Sequence, residues 1–454
     1  MKTFCFATMI GVFLLIHFDR ILAQATPTQL HQIELMNPVS KKTPINAYQR
    51  LQDFENFYGS SPMVISNSIS QPVQSNDDKP NLTDLGRKIE NRVNFTTDNS
   101  NYEKIQATSG QKISLKATAL IINGDTLEPE EISTRGQSSL YYRRKSYSFS
   151  LKSEALFRHG ERIESLKKFY ILSLSMDKNY SSNRLAFEMM EAAQLFHLFY
   201  SFCELRINGQ SEGICMVTER PEDWALKKNN SPLLIRRGYN SSIKKIKTGT
   251  NNESDKAKNY KTYFRQIYRS LNKYKGEELY KTLSDWLDMK VYMKWLAFNF
   301  FIRNGDYTDE VFFFIDPGTD KFSIIPWDYD DLFSVAPHEG YAESRKFLGD
   351  KLFFSTEDLL DRKIVTDPYL YKIYLIQLGE LMNHLSADVL KRVFENTYAE
   401  LYPYYSDNEI ISKSQYDLYK DDNLIKLKSD LLSVYEQLII YRNYFLEYLG
   451  SQNN

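Results

Sequence analysis

Polar residues dominate the early part of this chain, and regular apolar spacing begins only past about residue 110. Residues 24–110 are rich in Gln, Asn, Ser, Pro and Asp, so they read as a poorly ordered lead-in with a short helix over 33–57. From about 111 strands are expected: Ile113 to Ile122, closed by the turn Asn123-Gly124-Asp125, then Tyr147 to Leu151 with period-two alternation, then Phe169 to Leu174. Ser181 or Ser182 is placed to cap a helix through Leu185, Met189 and Ala192. Asn208-Gly209 predicts a two-residue hairpin turn within 203–218, and Leu233 to Ile235 is a further short strand. Helical spacing follows over 256–281 and 284–302. Two strands, Val311 to Ile315 and Phe322 to Ile325, then surround Asp316-Pro317-Gly318. Beyond about 355 the spacing is helical, over Tyr369 to Leu385, Ser386 to Tyr402 and Asn423 to Leu449. Strands first and helices later make an α+β plan.

The first residues stand apart. Lys2 supplies a positive start, Phe4 to Phe18 is almost wholly apolar, and Ala23 is a small residue suited to cleavage. Residues 1–23 are therefore expected to be a signal peptide, with the mature chain secreted or at a cell surface or lumen. The apolar run is short of the ~20 residues that a span needs, so no stable membrane span is expected. A net charge of −1 gives no pull toward nucleic acid. The 6 His are scattered and no CxxC occurs, which argues against a Cys/His metal site. After cleavage only Cys203 and Cys215 remain. Pairing about Asn208-Gly209 sets Cys203 opposite Ile214, so a disulfide needs a bulge or another register. Glycosylation sequons stand at Asn81, Asn94, Asn179, Asn240 and Asn252.

Three clusters carry candidate chemistry. Arg135-Gly136-Gln137-Ser138-Ser139, followed by Arg143-Arg144-Lys145-Ser146-Tyr147, joins backbone N–H groups near glycine, small hydroxyls and cations, as a polyphosphate requires. A solvated basic hairpin has the same composition. Asn304-Gly305-Asp306-Tyr307-Thr308-Asp309-Glu310 follows an apolar helix, and Pro326-Trp327-Asp328-Tyr329-Asp330-Asp331 follows a strand. Such acids fit Mg²⁺, with Asp328 and Asp330 holding metal and Asp306 receiving the proton of an attacking hydroxyl. A Ca²⁺ site, plain exposed turns, or the paired carboxylates of an inverting glycosidase fit them as well.

Taken together and in order, these motifs resemble the spore-coat CotH kinase family. The resemblance rests on Arg135-Gly136-Gln137-Ser138-Ser139, Lys145-Ser146-Tyr147, Asn183-Arg184-Leu185-Ala186-Phe187-Glu188, Leu205-Arg206-Ile207-Asn208-Gly209 with Val217-Thr218-Glu219, Asn304-Gly305-Asp306, and Pro326-Trp327-Asp328-Tyr329-Asp330. It covers roughly 112–450 and implies an atypical protein-kinase-like fold that holds ATP and Mg²⁺, with a sheet-rich N-lobe over 111–225 and a helical C-lobe over 226–450. By the resemblance Asp306 is the catalytic aspartate, and Asp328 and Asp330 are metal ligands. Lys145, Arg135, Ser138 and Ser139 contact phosphates, and Glu219 lies at the hinge beside the adenine. Arg184 or Glu188 ties its helix to the site. Two departures stand out. The family's Asn after the catalytic aspartate is missing from Thr308-Asp309-Glu310-Val311, leaving Asp309 or Glu310 as the substitute metal ligand. Ser231 to Gly238 also lacks the usual glycine- and acid-containing form. The implied activity is transfer of the ATP γ-phosphoryl group to Ser or Thr of an extracytoplasmic protein. The alternative is a weak or inactive member that acts as a surface or coat binding protein.

Overall fold

The computed structural model describes residues 79–451, apart from 84–86, 108–109, 240, 250–253 and 420–422 and the side chains of 254–257. The expected signal peptide, the helix over 33–57, and the sequons at Asn240 and Asn252 lie outside the described residues.

The strands are β1 (Arg92–Thr97), β2 (Ser114–Leu115), β3 (Ala117–Ile122), β4 (Asp125–Thr126), β5 (Pro129–Arg135), β6 (Ser146–His159), β7 (Arg162–Leu172), β8 (Tyr200–Ile207), β9 (Gln210–Glu219), β10 (Leu233–Arg237), β11 (Ile243–Thr248), β12 (Val311–Asp316) and β13 (Lys321–Pro326). The main helices are α1 (Asn99–Gln106), α2 (Ser182–Ala192), α3 (Ser254–Lys273), α4 (Gly276–Ser284), α5 (Met289–Phe301), α6 (Tyr341–Leu348), α7 (Leu359–Thr366), α8 (Pro368–His384), α9 (Ala387–Tyr405) and α10 (Leu424–Ser451). Among the described residues the strands form a 9-stranded sheet, ordered β2-β5-β6-β7-β9-β8-β1-β3-β4, and a 4-stranded sheet, ordered β11-β10-β12-β13. The α+β plan holds.

The large sheet curls. Leu115 of β2 and Ile132 of β5 share one buried cluster with Leu120 and Ile122 of β3, although these strands sit toward opposite ends of the strand order. Phe149, Phe157 and Phe169 fill the middle, with Phe149 and Phe169 stacked at 5.0 Å. Burying side chains of this size contributes roughly 1.5–3 kcal/mol each. A second cluster runs without a break from Leu82 through α2 and the outer faces of β8 and β9 to Phe445, so the strand-rich and helix-rich parts share a core.

The structure departs from the sequence pattern in three places. The expected disorder up to 110 gives way before that: β1 lies inside the large sheet, parallel to β8 and antiparallel to β3, with Val93 and Phe95 fully buried. Its short alternation is hidden among polar neighbours. The single strand expected over 113–122 is two, because the chain leaves β2 at Lys116, whose carbonyl accepts the Thr97 hydroxyl, and crosses to pair with β1. The helix expected over 256–281 is broken between α3 and α4, where Gly276 adopts φ +58°.

The hairpin at Asn208-Gly209 forms as expected, both residues at positive φ. A register shift between Glu204 and Arg206 places Cys203 opposite Cys215, and both thiols are free. Burial pushes both up in pKa, Cys215 to about 11 with Arg144 opposing. Both thiols should therefore resist maleimide in the native protein and react once it is denatured without reductant; denatured protein that stays unlabelled would reveal a disulfide. Of the sequons, Asn179 is buried, its amide donating to Asp430 at 2.8 Å, while Asn81 is exposed.

Candidate functional site

The acidic loops are built on a chain of polar contacts that begins in α2. Asp177 accepts the backbone N–H groups of Ser182 at 2.7 Å and Asn183 at 2.9 Å, capping the helix. Burial lifts the Asp177 carboxyl to about 6, against those donors. Asn183 in turn accepts the Tyr329 N–H at 2.9 Å, and the Tyr329 hydroxyl accepts from the Trp295 indole at 3.0 Å. Tyr329 is thus fixed between α2 and α5, and the aspartates on either side of it, 328 and 330, are presented together.

The second loop leaves α5 through Arg303, at φ +49°. Asn304 is fully buried; its amide bonds Asn299 at 3.1 Å and its oxygen accepts the Asp306 N–H at 3.1 Å. Gly305 donates to the Asp331 carbonyl at 2.9 Å and accepts from the His338 N–H at 3.0 Å. A Cβ on Gly305 would come within 2.1 Å of the Asp331 carboxylate, so only glycine allows the two loops to approach this closely. His338 then bridges the loops, with Nδ1 2.8 Å from Asp306 and Nε2 3.4 Å from Asp331. The Tyr239 hydroxyl also donates to Asp306, at 3.4 Å.

Burial alone would lower the His338 pKa, but Asp306 and Asp331 outweigh it and raise it from 6.5 to about 9. A raised folded-state pKa means the imidazolium's stabilisation is present in full below pH 6.5 and is lost as pH rises through about 9. In metal-free protein, the Tm of the wild type should therefore fall relative to that of His338→Gln over this interval. Parallel Tm curves would deny the charge its role.

Asp306, Asp309 and Glu310 bring carboxylate oxygens within 4.8 Å of one another. Asp309 is ion-paired to Lys244 at 2.6 Å, and Glu310 is bound by Arg236. Burial, then Asp328, pushes the Glu310 carboxyl well above the usual range, with Arg236 opposing. The Ser231 to Gly238 segment, divergent in sequence, becomes β10, whose two arginines grip this loop: Arg236 bonds the Asp309 carbonyl at 3.1 Å and Arg237 the Thr308 carbonyl at 2.7 Å.

Asp328, at φ +57°, and Asp330 make no hydrogen bond or ion pair among the described residues. Both carboxyls are raised in pKa. For Asp328 the enclosing protein comes first and Asp306 adds, against Arg135, Arg236 and Lys244; for Asp330 enclosure is joined by Asp328, Asp331, Asp177 and Asp306. Asp328 is exposed to solvent and Asp330 partly buried, so dehydration counts for less at Asp328 than at Asp330. Asp306, Asp328 and Asp330 thus lie within one another's electrostatic reach.

Cations act on these acids, Arg135 and then Arg236 most strongly at Asp328. The Arg135 guanidinium stacks on Tyr170, 3.9 Å from the ring centroid, with Trp327 at 5.7 Å, and it acts electrostatically on Asp328. On the small sheet Leu234 pairs with both Lys247 and Phe314, and Arg236 with both Lys245 and Phe312, so Leu234, Arg236, Lys245, Lys247 and Phe312 form one face, with Glu222 at its rim. Burial opposes ionisation of Glu222, but Lys247 at 2.5 Å and Arg220 hold it at about 2. Lys245 makes no ion pair among the described residues; burial depresses its pKa, Glu222 opposes, and Lys247, Arg220 and Arg236 add to the fall.

The other residues singled out in the sequence sit as follows. Gly136, at φ +109°, turns the loop after β5, and the Ser139 hydroxyl donates to the Arg135 carbonyl at 3.4 Å; Ser138 is exposed. The Lys145 ammonium is buried beneath that loop on the carbonyls of Leu140 (2.5 Å) and Tyr142, and burial lowers its pKa to about 8. Arg184 is buried and bound to Glu400 by two bonds of 2.8 Å and to Glu188 at 2.6 Å, tying α2 to α9. Glu219 accepts the Phe199 N–H at 3.4 Å and lies 3.8 Å from Lys228. Sequence reasoning missed His338, Tyr239 and the cations of β11. Only the run Lys244-Lys245-Ile246-Lys247 carried a signal, and nothing in it points to an acid 65 residues away.

The fold and this site define a mixed α+β protein that holds acids and cations close together. A family model described as CotH kinase protein matches residues 132–429, and the chain belongs to that family, which points to a kinase-like function. Among curated proteins no match is found. A solved structure of the HipA and HipB toxin–antitoxin system with its operator DNA, from Shewanella oneidensis MR-1, is similar at 11% identity. The alignment covers 67% of this chain and 65% of that one, with a TM-score of 0.24. No helix among the described residues is long and apolar enough to cross a membrane.

Proposed function

We propose that the chain binds ATP with Mg²⁺ at this site and transfers the γ-phosphoryl group to a Ser or Thr hydroxyl of an extracytoplasmic protein. One observation carries the reading. The site sets carboxylates that repel one another, Asp328 and Asp330, within the field of cations that repel one another, Arg135 and Arg236. A divalent cation on a polyphosphate relieves both. Unpartnered carboxylate oxygens are the donor set that Mg²⁺ prefers.

Mg²⁺, when bound, neutralises charge on the phosphate oxygens. Asp328 and Asp330 hold it. Arg135 and Arg236 take phosphate oxygens, and Phe312 and Leu234 offer an apolar floor to the base. Asp306, its orientation fixed by His338 and Tyr239, receives the proton of the attacking hydroxyl. Lys145 acts from below, holding the Arg135 to Ser139 loop in shape.

A second reading, a family member that binds without turnover, draws on the pairing of Asp306, Asp309 and Glu310 with His338, Lys244 and Arg236. ATP with Mg²⁺ at about 100 times Kd should stabilise the protein by about 2.7 kcal/mol, seen as a rise in Tm that neither component gives alone. An indifferent Tm sinks both readings; a rise without phosphate transfer to any protein favours the second.

A further inference from the structure

Beside the site runs a groove of about 540 Å³ between β11 and α3. Its charged lining is Lys244 and Lys245 from the strand and Lys261 and Arg265, one turn apart, from the helix, with Ile243 and Ile246 between them. Among the described residues Lys245, Lys261 and Arg265 make no ion pair with an acid. β11 is the edge of its sheet, bonded to β10 on one side and to no other strand among the described residues on the other. Lysines on an edge strand discourage self-pairing. That accounts for Lys244 and Lys245 but not for Lys261 and Arg265, which extend the charge onto a helix.

The groove also has a direction. Lys244 reaches Asp309 at 2.6 Å, and Asp309 shares the 4.8 Å oxygen cluster with Asp306. An extended chain along the β11 edge therefore runs up to the carboxylate assigned to the attacking hydroxyl.

We propose that this groove is the docking site for the protein substrate, and that it takes an extended acidic segment whose backbone adds to the β11 edge while its carboxylates meet Lys245, Lys261 and Arg265. The assignment rests on the kinase reading for what happens at Asp306, but not for binding itself. Main-chain hydrogen bonds would give affinity, and the cations would select the sequence.

The test is fluorescence anisotropy with full-length protein and no nucleotide, using a labelled peptide with a central Ser among Asp and Glu and a second with Lys in their place. The acidic peptide should bind at least about tenfold tighter, weakening with salt. Lys261→Glu with Arg265→Glu should cut that affinity by about tenfold or more. Tm and the ATP·Mg²⁺ response should not change. The Lys261→Gln and Arg265→Gln pair, which keeps the fold if charge reversal does not, should weaken it less. Proline placed along the peptide should hurt at alternate positions. Equal binding of both peptides, indifference to the substitutions, or equal displacement by an oligonucleotide of the same charge would overturn the proposal. Loss of the ATP·Mg²⁺ response with peptide binding intact would remove the kinase reading and leave the groove standing.

Discussion

Asp328→Ala is expected to lower phosphoryl transfer by about 10²–10³-fold and to leave the metal-free protein as stable as the wild type, or more so. The two effects have one cause. Among the described residues Asp328 makes no hydrogen bond or ion pair, and its carboxyl stays raised despite Arg135 and Arg236, so without a cation its charge is a cost to the fold. Removing it relieves that cost and removes a metal ligand together. Asp330→Asn should act in the same direction, because burial and four neighbouring aspartates raise its carboxyl. Transfer assays with ATP and Mg²⁺ and thermal melts in chelator read the two halves separately. A variant that is both active and less stable would place Asp328 in the scaffold and take it out of the metal site.

Arg237→Ala should destabilise the protein by about 3–5 kcal/mol, the usual cost of leaving a buried charge unpaired. Arg237 is fully buried and lies 3.2 Å from Asp361 and 3.5 Å from Asp358, with Tyr292 and the Thr308 carbonyl completing its contacts. Even with Arg237 in place, burial lifts Asp361 to about 7, against the arginine's pull, with Asp358 adding to the rise. Without the arginine the carboxyl rises further. The deficit relative to the wild type is then smallest below about pH 7, where Asp361 is protonated in both folded proteins, and grows as pH rises above it. Denaturant melts at several pH values check this, and adding Asp361→Asn should recover part of the loss. A deficit that does not change with pH would mean lost packing, not stranded charge.

The parts of this protein that sequence could reveal are those written in local spacing. The alternation of Tyr147 to Leu151, the Asn208-Gly209 turn, and the acids that follow α5 and β13 all announce themselves within a few residues, and each is found where expected. Partnerships across the chain do not. Lys145 reads as a phosphate ligand until its ammonium is seen on the carbonyls of Leu140 and Tyr142. Arg184 meets Glu400 across 216 residues, and His338 reaches Asp306 from a loop with no periodicity of its own. In the sequence, the missing Asn after Asp306 leaves Asp309 or Glu310 as a substitute metal ligand. Asp309 and Glu310 instead come with matched cations, Lys244 and Arg236, supplied by a hairpin that looked merely polar or divergent.

The place of β1 bears on how the protein can be cut. Similarity to the family begins at 132, yet β1, with its buried Val93 and Phe95, is wedged between β8 and β3. A fragment trimmed to the region of likeness would bare the flank of β8 from Glu204 to Ile207 and strip the curled sheet of one wall. Such a flank invites neighbouring molecules to dock strand against strand. Where evolutionary resemblance stops and where the folding unit stops are, in this protein, some forty residues apart.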